Sequence, residues 1–153
     1  MNTLDSFSNC MPITNFGDED TRFLSNFWMP VIGLEGPSVE HVYAAAKAVS
    51  ELDREAILAC QTPGQAKRLG SKVQKIKCWD DIKLNVMFSA LLIKFNFKKN
   101  PELARQLLLT KDRDIIEGNT WGDTFWGTCN GKGENHLGKQ LMEIRSLLTR
   151  CDI

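Results

Sequence analysis

Apolar residues recur along much of this chain at helical spacing, and the pattern predicts a mainly α-helical fold. One long helix is predicted from about Ile82 to Phe97, a second after Asn100-Pro101 and a third after Asn135, with both asparagines read as caps. Apolar stripes of this kind are core packing by default. The positions expected in the core are Ile82, Val86, Ala90, Ile93 and Phe97, then Leu103, Leu107 and Leu108, then Leu137, Leu141, Ile144 and Leu148.

Three shorter helices are predicted between residues 38 and 70. The first follows Ser38, whose hydroxyl can accept amide hydrogens of the first turn, and continues through alanines to Lys47. The second is predicted at residues 53–60. The third begins at Pro63 behind a Thr62 cap and ends at Gly70.

Residues 23–28 form an aromatic segment with two readings. It can be a plain buried strand, or it can line a pocket into which Asn26 points its side-chain amide. An asparagine is costly to bury without hydrogen-bond partners. Because Asn26 lies among aromatic residues, we expect a ligand or backbone groups to form hydrogen bonds with its side chain. Residues 29–35 then predict a short N-terminal β-hairpin or extended segment, which breaks at Gly36-Pro37.

The helix after Ser38 carries the first candidate chemistry. Glu40, Tyr43 and Lys47 lie at i, i+3 and i+7 and therefore share one face. A carboxylate and an amine beside an aromatic ring are suited to acid–base or nucleophilic chemistry on a bound molecule. The alternative is a surface ion pair without function.

The stretch from Ile115 to Asn135 is the second informative region. It is too rich in glycine and asparagine for a helix, yet it holds Trp121, Trp126 and Asp123. Tryptophans can stack on a planar base, and glycines let backbone approach a ligand closely. The segment therefore predicts an ordered loop over a site, with a tryptophan-anchored structural loop as the alternative.

A basic run follows the third short helix, in residues 67–77. Such a run is commonly a solvated face, but beside a pocket it would supply phosphate contacts. Its members are Lys67, Arg68, Lys72, Lys75 and Lys77.

Composition narrows the class of protein. The 153 residues predict one domain, and 19 basic against 19 acidic residues do not mark the whole chain as a nucleic-acid binder. Five dispersed cysteines without a Cys-x-x-Cys pair argue against a disulfide framework and a zinc cluster. With no signal peptide at the N-terminus and no apolar run of about 20 residues, we expect a cytoplasmic protein that needs no metal or cofactor.

Several short segments occur in order between about residues 22 and 148. They are Phe23-Leu24-Ser25-Asn26-Phe27, Ser38-Val39-Glu40-His41 with Lys47-Ala48, Trp79-Asp80, Trp126-Gly127, Asn135-His136-Leu137-Gly138-Lys139 and Leu141-Met142-Glu143-Ile144-Arg145. Together they resemble the NADAR (YbiA-like) family. The resemblance implies a compact, single-domain helical N-glycosidase that hydrolyses a bond between ribose and nitrogen. Family members act on early riboflavin-pathway intermediates or remove ADP-ribose from guanine in nucleic acid.

Breaking a C1′–N bond builds oxocarbenium character on the ribose, which a nearby carboxylate stabilises. Glu40 is the first candidate for this role or for activating water. Lys47 is the alternative, attacking C1′ as a Schiff-base nucleophile if burial lowers its pKa. Asp123 is the third catalytic candidate, expected to bind ribose hydroxyls or to stabilise the developing positive charge, and with Glu117 it is expected to orient the sugar. Arg22 and Lys67 are the candidates for phosphate contacts, and Asn26 for a ribose hydroxyl or a base edge. The other predicted substrate-binding residues are Ser25, Phe27, His41, Tyr43, Trp79, Trp126, Gly127, Asn135 and Gly138.

Both the substrate and the class of protein stay open. As an enzyme, the protein acts either on ADP-ribosylated guanine or on a ribosylaminopyrimidine phosphate of riboflavin synthesis. We favour the first substrate because no biosynthetic partner domain is attached. A module that binds ADP-ribose without turnover would need neither Glu40 nor Lys47 chemically. A purely structural protein would expose an apolar patch instead of embedding polar residues among aromatics.

Overall fold

The computed structural model describes residues 10–151, and within them the fold is mainly α-helical, as predicted. Residues 1–9, on which the expectation of no signal peptide rests, and residues 152–153 lie outside the described part. No helix of the described residues is long and apolar enough to cross a membrane. The described residues form six α-helices: α1 (Val39–Ala46), α2 (Glu51–Leu58), α3 (Pro63–Gly70), α4 (Trp79–Lys94), α5 (Pro101–Leu109) and α6 (His136–Cys151).

The chain divides into two compact units. The central unit is Asn26–Asn100 and contains α1 to α4. The terminal unit comprises residues 10–25 and 101–151 and contains α5 and α6. It also holds a 3-10 turn at Arg22–Leu24 and a parallel pair of two-residue strands, β1 (Gly118–Asn119) and β2 (Thr128–Cys129).

Side-chain caps set the starts of the short helices in the central unit. Ser38 Oγ accepts the amide hydrogen of His41 at 3.2 Å, so α1 begins where the sequence predicts. Thr62 and Gln65 form a capping box at the start of α3. Ser50 caps α2, which therefore begins at Glu51, two residues before the predicted start.

The core of the central unit is built from small residues. Helix α1 packs against α2, α3 and α4. A Cβ at Gly70 would lie 2.9 Å from the Cβ of Ala44, so the glycine lets α3 approach α1 closely. Buried members of this cluster are Ala44, Ala45, Ile57 and Ala66.

Helix α4 differs from the prediction in its register and in its buried face. It starts three residues early, with two aspartates in its first turn that favour the helix dipole. It ends at Lys94, and Asn96 Oδ1 then accepts the amides of Lys98 and Lys99 at 3.0 and 3.1 Å, which turns the chain. Of the predicted stripe only Ala90 is fully buried. The residues that are buried are Trp79, Met87, Ala90, Leu91 and Lys94.

No strand forms between residues 26 and 38, so the hairpin alternative is wrong and the segment lacks regular structure. The amide of Val31 donates to the carbonyl of Pro37 at 2.9 Å, and a side chain supplies further hydrogen bonds to this backbone. Asn100 Nδ2 donates to the carbonyls of Ile32 and Ile93, and Asn100 Oδ1 accepts the Ile32 amide at 3.0 Å. Helix α5 begins directly after Asn100, as predicted, and the Asn100 side chain also bridges two segments.

In the terminal unit, α5 packs against α6 and against the 3-10 turn. Leu103 and Leu107 are buried, whereas Leu108, the third position expected in the core, is only half-buried. Residues 23 and 24 belong to the 3-10 turn, which contradicts the reading of residues 23–28 as a strand. The predicted stripe of α6 is confirmed, because all four of its residues are buried: Leu137, Leu141, Ile144 and Leu148.

Candidate active site

The predicted face of α1 holds a carboxylate, an aromatic ring and an amine, and Trp79 of α4 packs against the ring. Glu40 is buried, with 8% of its surface exposed, and its amide donates to the carbonyl of Asn26 at 3.1 Å. The rings of Tyr43 and Trp79 meet edge to face, with centroids 5.0 Å apart. Lys47 Nζ lies 5.3 Å from the Tyr43 ring centroid and 5.9 Å from that of Trp79.

The pKa of the Lys47 amine is lowered from its ordinary value. Its burial is the largest cause, because removing water disfavours the charged form. The negative charge of Glu40 acts in the opposite direction and raises the pKa, while the positive charges of Lys75 and Lys67 lower it further. The direction is the one that a nucleophilic lysine requires.

Asn26 sits beside this face with one side-chain atom unsatisfied. Its Nδ2 lies 3.5 Å from the sulfur of Met87, which is a weak acceptor. Its Oδ1 is buried and accepts no hydrogen bond from any described residue. A buried acceptor of this kind is expected to be satisfied by a bound donor, as the sequence reading of Asn26 proposed.

Lys67 and Lys75 approach the same region from different elements. Lys67, on α3, has its Nζ 5.8 Å from the ring centroid of Phe27, which is 43% exposed. The backbone of residues 74–76 pairs with that of residues 47–49 through two N–H···O bonds of 2.9 and 3.0 Å. An antiparallel bridge joins Ala48 and Lys75, which fixes Lys75 next to the end of α1.

His41 is fully buried, and both of its ring nitrogens contact the protein. Nε2 lies 2.9 Å from the carbonyl oxygen of Cys60, which can only accept, so Nε2 carries the hydrogen. Nδ1 lies 2.7 Å from Ser38 Oγ. His41 thereby ties the start of α1 to the end of α2, and its predicted contact with substrate stays a prediction.

In the terminal unit, Asp123 organises the loop that the sequence singled out. Its Oδ1 accepts the amides of Phe125 and Trp126 at 3.1 and 2.9 Å. Asn119 exchanges two hydrogen bonds with the Asp123 backbone, at 2.7 and 3.0 Å. The Phe125 and Trp126 rings meet edge to face at 5.0 Å. The loop is therefore ordered, and its carboxylate is oriented by the backbone.

Asn135 and two glycines hold the backbone around Glu117. Asn135 Oδ1 accepts the amide of Glu117 at 3.0 Å, and its Nδ2 donates to Ile115 O at 2.9 Å. The side chain that we predicted as a helix cap therefore bridges to another segment. A Cβ at Gly138 would lie 2.0 Å from Ile115 O, and one at Gly127 would lie 2.0 Å from Glu117 O, so neither position accepts a side chain.

The remaining predicted residues of the terminal unit are Arg22 and Ser25. Arg22 is exposed, and its carbonyl accepts the amide of Ser25 at 3.0 Å. Their roles toward a substrate stay predictions. Of the sixteen residues predicted for the site, the central unit contains Asn26, Phe27, Glu40, His41, Tyr43, Lys47, Lys67 and Trp79.

Sequence reasoning missed Lys94, which is fully buried on α4. Burial lowers its pKa to about 7, and its Nζ lies 5.1 Å from the Phe95 ring centroid. The available signal was its position, since Lys94 follows Ala90 by four residues and Leu91 by three on the buried face. A search for apolar stripes passes over a lysine.

Within residues 10–151, no group of three histidine, cysteine or acidic side chains is placed to hold a metal ion. The cysteines that can be described there are free thiols: Cys10, Cys60, Cys78 and Cys129.

Comparison with known proteins identifies the class first. The NMR structure of Escherichia coli YbiA superposes with a TM-score of 0.78 at 35% identity, covering 92% of this chain and 86% of that one. The sequence of that bacterium's YbiA, named an N-glycosidase, is 38% identical over 136 residues, 85% of this chain and 83% of its own length. The fold is that of a helical N-glycosidase.

The family follows from a second comparison. A family model described as the NADAR domain matches residues 6–149, and the chain belongs to this family. The predicted enzyme class, a hydrolase acting on N-glycosyl bonds, is thereby confirmed at family level. A riboflavin biosynthesis protein of Vibrio vulnificus is 36% identical over 137 residues, and the chain spans 36% of the length of that relative.

Proposed function

We propose that this chain hydrolyses a ribose C1′–N bond and that its substrate is ADP-ribosylated guanine in nucleic acid. The observation that carries the chemistry is the face of α1. There a buried carboxylate, a tyrosine ring and an amine of lowered pKa lie within two turns of each other, and Trp79 of α4 packs against the tyrosine. Family membership supports the bond type.

Glu40 supports a dissociative route. As the C1′–N bond lengthens, positive charge grows on the ribose, and a carboxylate shielded from water stabilises that charge more strongly than an exposed one. Water then adds to C1′ and the base leaves with a proton. In the same route Glu40 can take the proton from the attacking water.

Lys47 supports a covalent route. In its neutral form the amine adds to C1′ of the ring-opened sugar, the C1′–N bond breaks, and the departing base takes up a proton. Water then adds to the resulting imine carbon and releases the amine and the sugar. The lowered pKa of Lys47 supports this route, because it increases the fraction of neutral amine.

Asn26, Tyr43 and Trp79 support recognition of a nucleoside. The unsatisfied Asn26 Oδ1 is suited to accept a hydrogen bond from a ribose hydroxyl or a base amine. Lys67 and Lys75 bring two positive charges near Lys47, which suits the diphosphate of ADP-ribose.

The second candidate substrate is a ribosylaminopyrimidine phosphate of riboflavin synthesis. The name of the Vibrio relative favours it. It carries the same kind of bond and a phosphate, so the same residues would serve. A module that only binds ADP-ribose is the alternative from another class, and turnover separates it from both enzymes.

The test is release of ADP-ribose from a guanine-ADP-ribosylated oligonucleotide. We expect release by the parent protein and loss of it in Glu40→Gln and Lys47→Ala. Glu55→Gln and Lys98→Ala, which change exposed residues of the central unit, serve as matched controls and keep activity. Release that survives both α1 substitutions would show that the chemistry lies elsewhere.

Borohydride separates the two routes. If the covalent route operates, reduction during turnover links the sugar to Lys47, and the mass of the peptide containing Lys47 increases. The Glu40→Gln protein then keeps the trapped adduct or accumulates it. Turnover without any adduct assigns the first step to Glu40.

The choice of substrate is tested separately. If the parent acts only on the ribosylaminopyrimidine phosphate, that substrate replaces ADP-ribosylated guanine in the proposed function.

A further inference from the structure

The exposed surface of the central unit carries more positive charge than the diphosphate of ADP-ribose requires. Residues 56–79 include five basic residues and no acidic one, although the whole chain has equal numbers of both. All five side chains are exposed: Lys67, Arg68, Lys72, Lys75 and Lys77. Like charges this close repel each other, and a surface that keeps them is suited to an anionic partner.

Backbone pairing places this segment beside the candidate site. Residues 74–76 pair with residues 47–49, which end α1. The charges of Lys67 and Lys75 both act on the Lys47 amine, so their ammonium groups lie within electrostatic range of it. Asp80 also lies in the field of Lys75, but its carboxylate bonds Lys83 Nζ at 2.9 Å. The basic segment therefore borders the candidate site.

The segment holds more cations than one diphosphate group requires. Its basic side chains are all exposed, and there are five of them. A strand of nucleic acid carries a charged phosphate at every nucleotide, so several of these cations can each contact a phosphate. A single diphosphate would engage only the cations nearest Lys47.

An aromatic ring stands next to these cations. Phe27 is 43% exposed, and Lys67 Nζ lies 5.8 Å from its centroid. An exposed ring beside a cation is the usual platform for an unpaired base in proteins that bind single strands. An enzyme that acts on a bond at a modified base reaches that bond more readily when the base is outside a duplex stack, which favours a single strand over a duplex.

We propose that Lys67, Lys72, Lys75 and Lys77, together with the ring of Phe27, bind the single-stranded nucleic acid that carries the modified base. The proposal rests on the proposed function, because it states how that substrate is held. The strand runs along the basic segment, with an unmodified base stacked on Phe27 and the modified nucleotide directed toward Glu40 and Lys47.

The first test is binding of a fluorescent, unmodified single-stranded oligonucleotide of about 12 nucleotides, followed by anisotropy. We expect Lys72→Gln/Lys77→Gln to bind about tenfold more weakly than the parent, since each exposed ion pair is worth a few-fold in affinity. Phe27→Ala should weaken binding by roughly 5- to 150-fold through lost stacking. The matched double variant Lys98→Gln/Lys99→Gln, at two exposed lysines outside the segment, should bind as the parent does.

Equal affinity of the parent and of Lys72→Gln/Lys77→Gln would overturn the proposal, as would failure of the parent to bind. Stronger binding of the matched duplex, or of anionic lipid vesicles, than of the single strand would overturn it as well.

Hydrolysis separates this proposal from the proposed function. We expect Lys72→Gln/Lys77→Gln to raise KM for the ADP-ribosylated oligonucleotide and to leave hydrolysis of monomeric ADP-ribosylated guanosine unchanged. Equal losses on both substrates, or no loss on either, would contradict strand binding while leaving the glycosidase intact. If the parent hydrolyses neither substrate, the proposed function is wrong. The binding measurements with the unmodified oligonucleotide then test the strand-binding surface on their own.

Discussion

Lys47 lies near charges of both signs, so its pKa reflects the arrangement of the charged residues around it. The carboxylate of Glu40 raises this pKa, whereas the cations Lys75 and Lys67 lower it. We therefore expect Glu40→Gln to lower the pKa of Lys47 further and Lys67→Gln/Lys75→Gln to raise it. The titration of the Lys47 ε-carbon by NMR, assigned with Lys47→Arg, measures both. Shifts of equal sign in the two variants would contradict this arrangement.

Lys94 couples the stability of the protein to pH. Its pKa is about 7 in the folded state and near 10.5 in the unfolded chain, so between these values the unfolded chain binds more protons. The contribution of Lys94 to the free energy of unfolding therefore rises as pH increases, by about 2 kcal/mol from pH 7 to pH 9. Below pH 7 its full destabilising effect is present.

Comparison with Lys94→Met isolates this effect, because methionine fills similar space without a titrating group. Urea unfolding of both proteins at pH 7 and pH 9 gives the difference in their free energies of unfolding. We expect the free energy of unfolding of the parent to increase relative to that of the variant as pH rises. A difference that does not change with pH would mean that Lys94 keeps its ordinary pKa in the folded protein.

At the scale of elements, sequence reasoning succeeded where one local interaction sets a boundary. Ser38 and Thr62 cap α1 and α3 at the predicted residues, since a cap is encoded within four positions. The stripe of α6 was also correct, because a strongly amphipathic helix has one buried face. Helix α4 has half-buried residues around much of its surface, so its apolar pattern did not identify the buried face.

The residue types of the candidate site could be predicted from the sequence. The hydrogen-bond partners of these residues could be predicted less well. Glu40, Tyr43 and Lys47 share a face because helical geometry alone places them there. Asn135 and Asn100 form hydrogen bonds with residues distant in sequence, which no local pattern reveals. The lysine at position 94 was missed for a related reason, since only the packed fold shows that it is buried.

Gly138 lies where α6 meets the segment before β1, and the contact leaves no room for a side chain. A Cβ there would lie 2.0 Å from Ile115 O, a backbone atom that cannot rotate away. We expect Gly138→Ala to lower the free energy of unfolding by about 2–3 kcal/mol, as overpacking does. Denaturant unfolding measures this change.

Gly64→Ala is the matched control, because a Cβ at that helical position meets only the Phe27 ring, at 4.0 Å. Its stability should stay within about 1 kcal/mol of the parent or increase. If Gly138→Ala is as stable as this control, α6 can shift to accommodate a side chain and the close contact is not required.

At the scale of the whole molecule, equal numbers of acidic and basic residues limit how nucleic acid is recognised. A chain with no net charge gains little from long-range attraction, so binding of a strand must come from the local basic segment. Four lysines that each contact a phosphate give a slope of about −2.8 for log affinity against log salt on a single strand. We expect kcat/KM for the ADP-ribosylated oligonucleotide to fall with KCl at no more than this slope.

The salt dependence of kcat/KM also distinguishes local from diffuse attraction. In Lys72→Gln/Lys77→Gln the slope should be about half as steep, because two of four contacts are lost. Lys98→Gln/Lys99→Gln removes the same amount of charge outside the segment and should keep the parent slope. If both double variants flatten the slope equally, overall charge governs the encounter and the position of the lysines does not matter. A slope that changes only with Lys72 and Lys77 assigns the attraction to the segment beside α1.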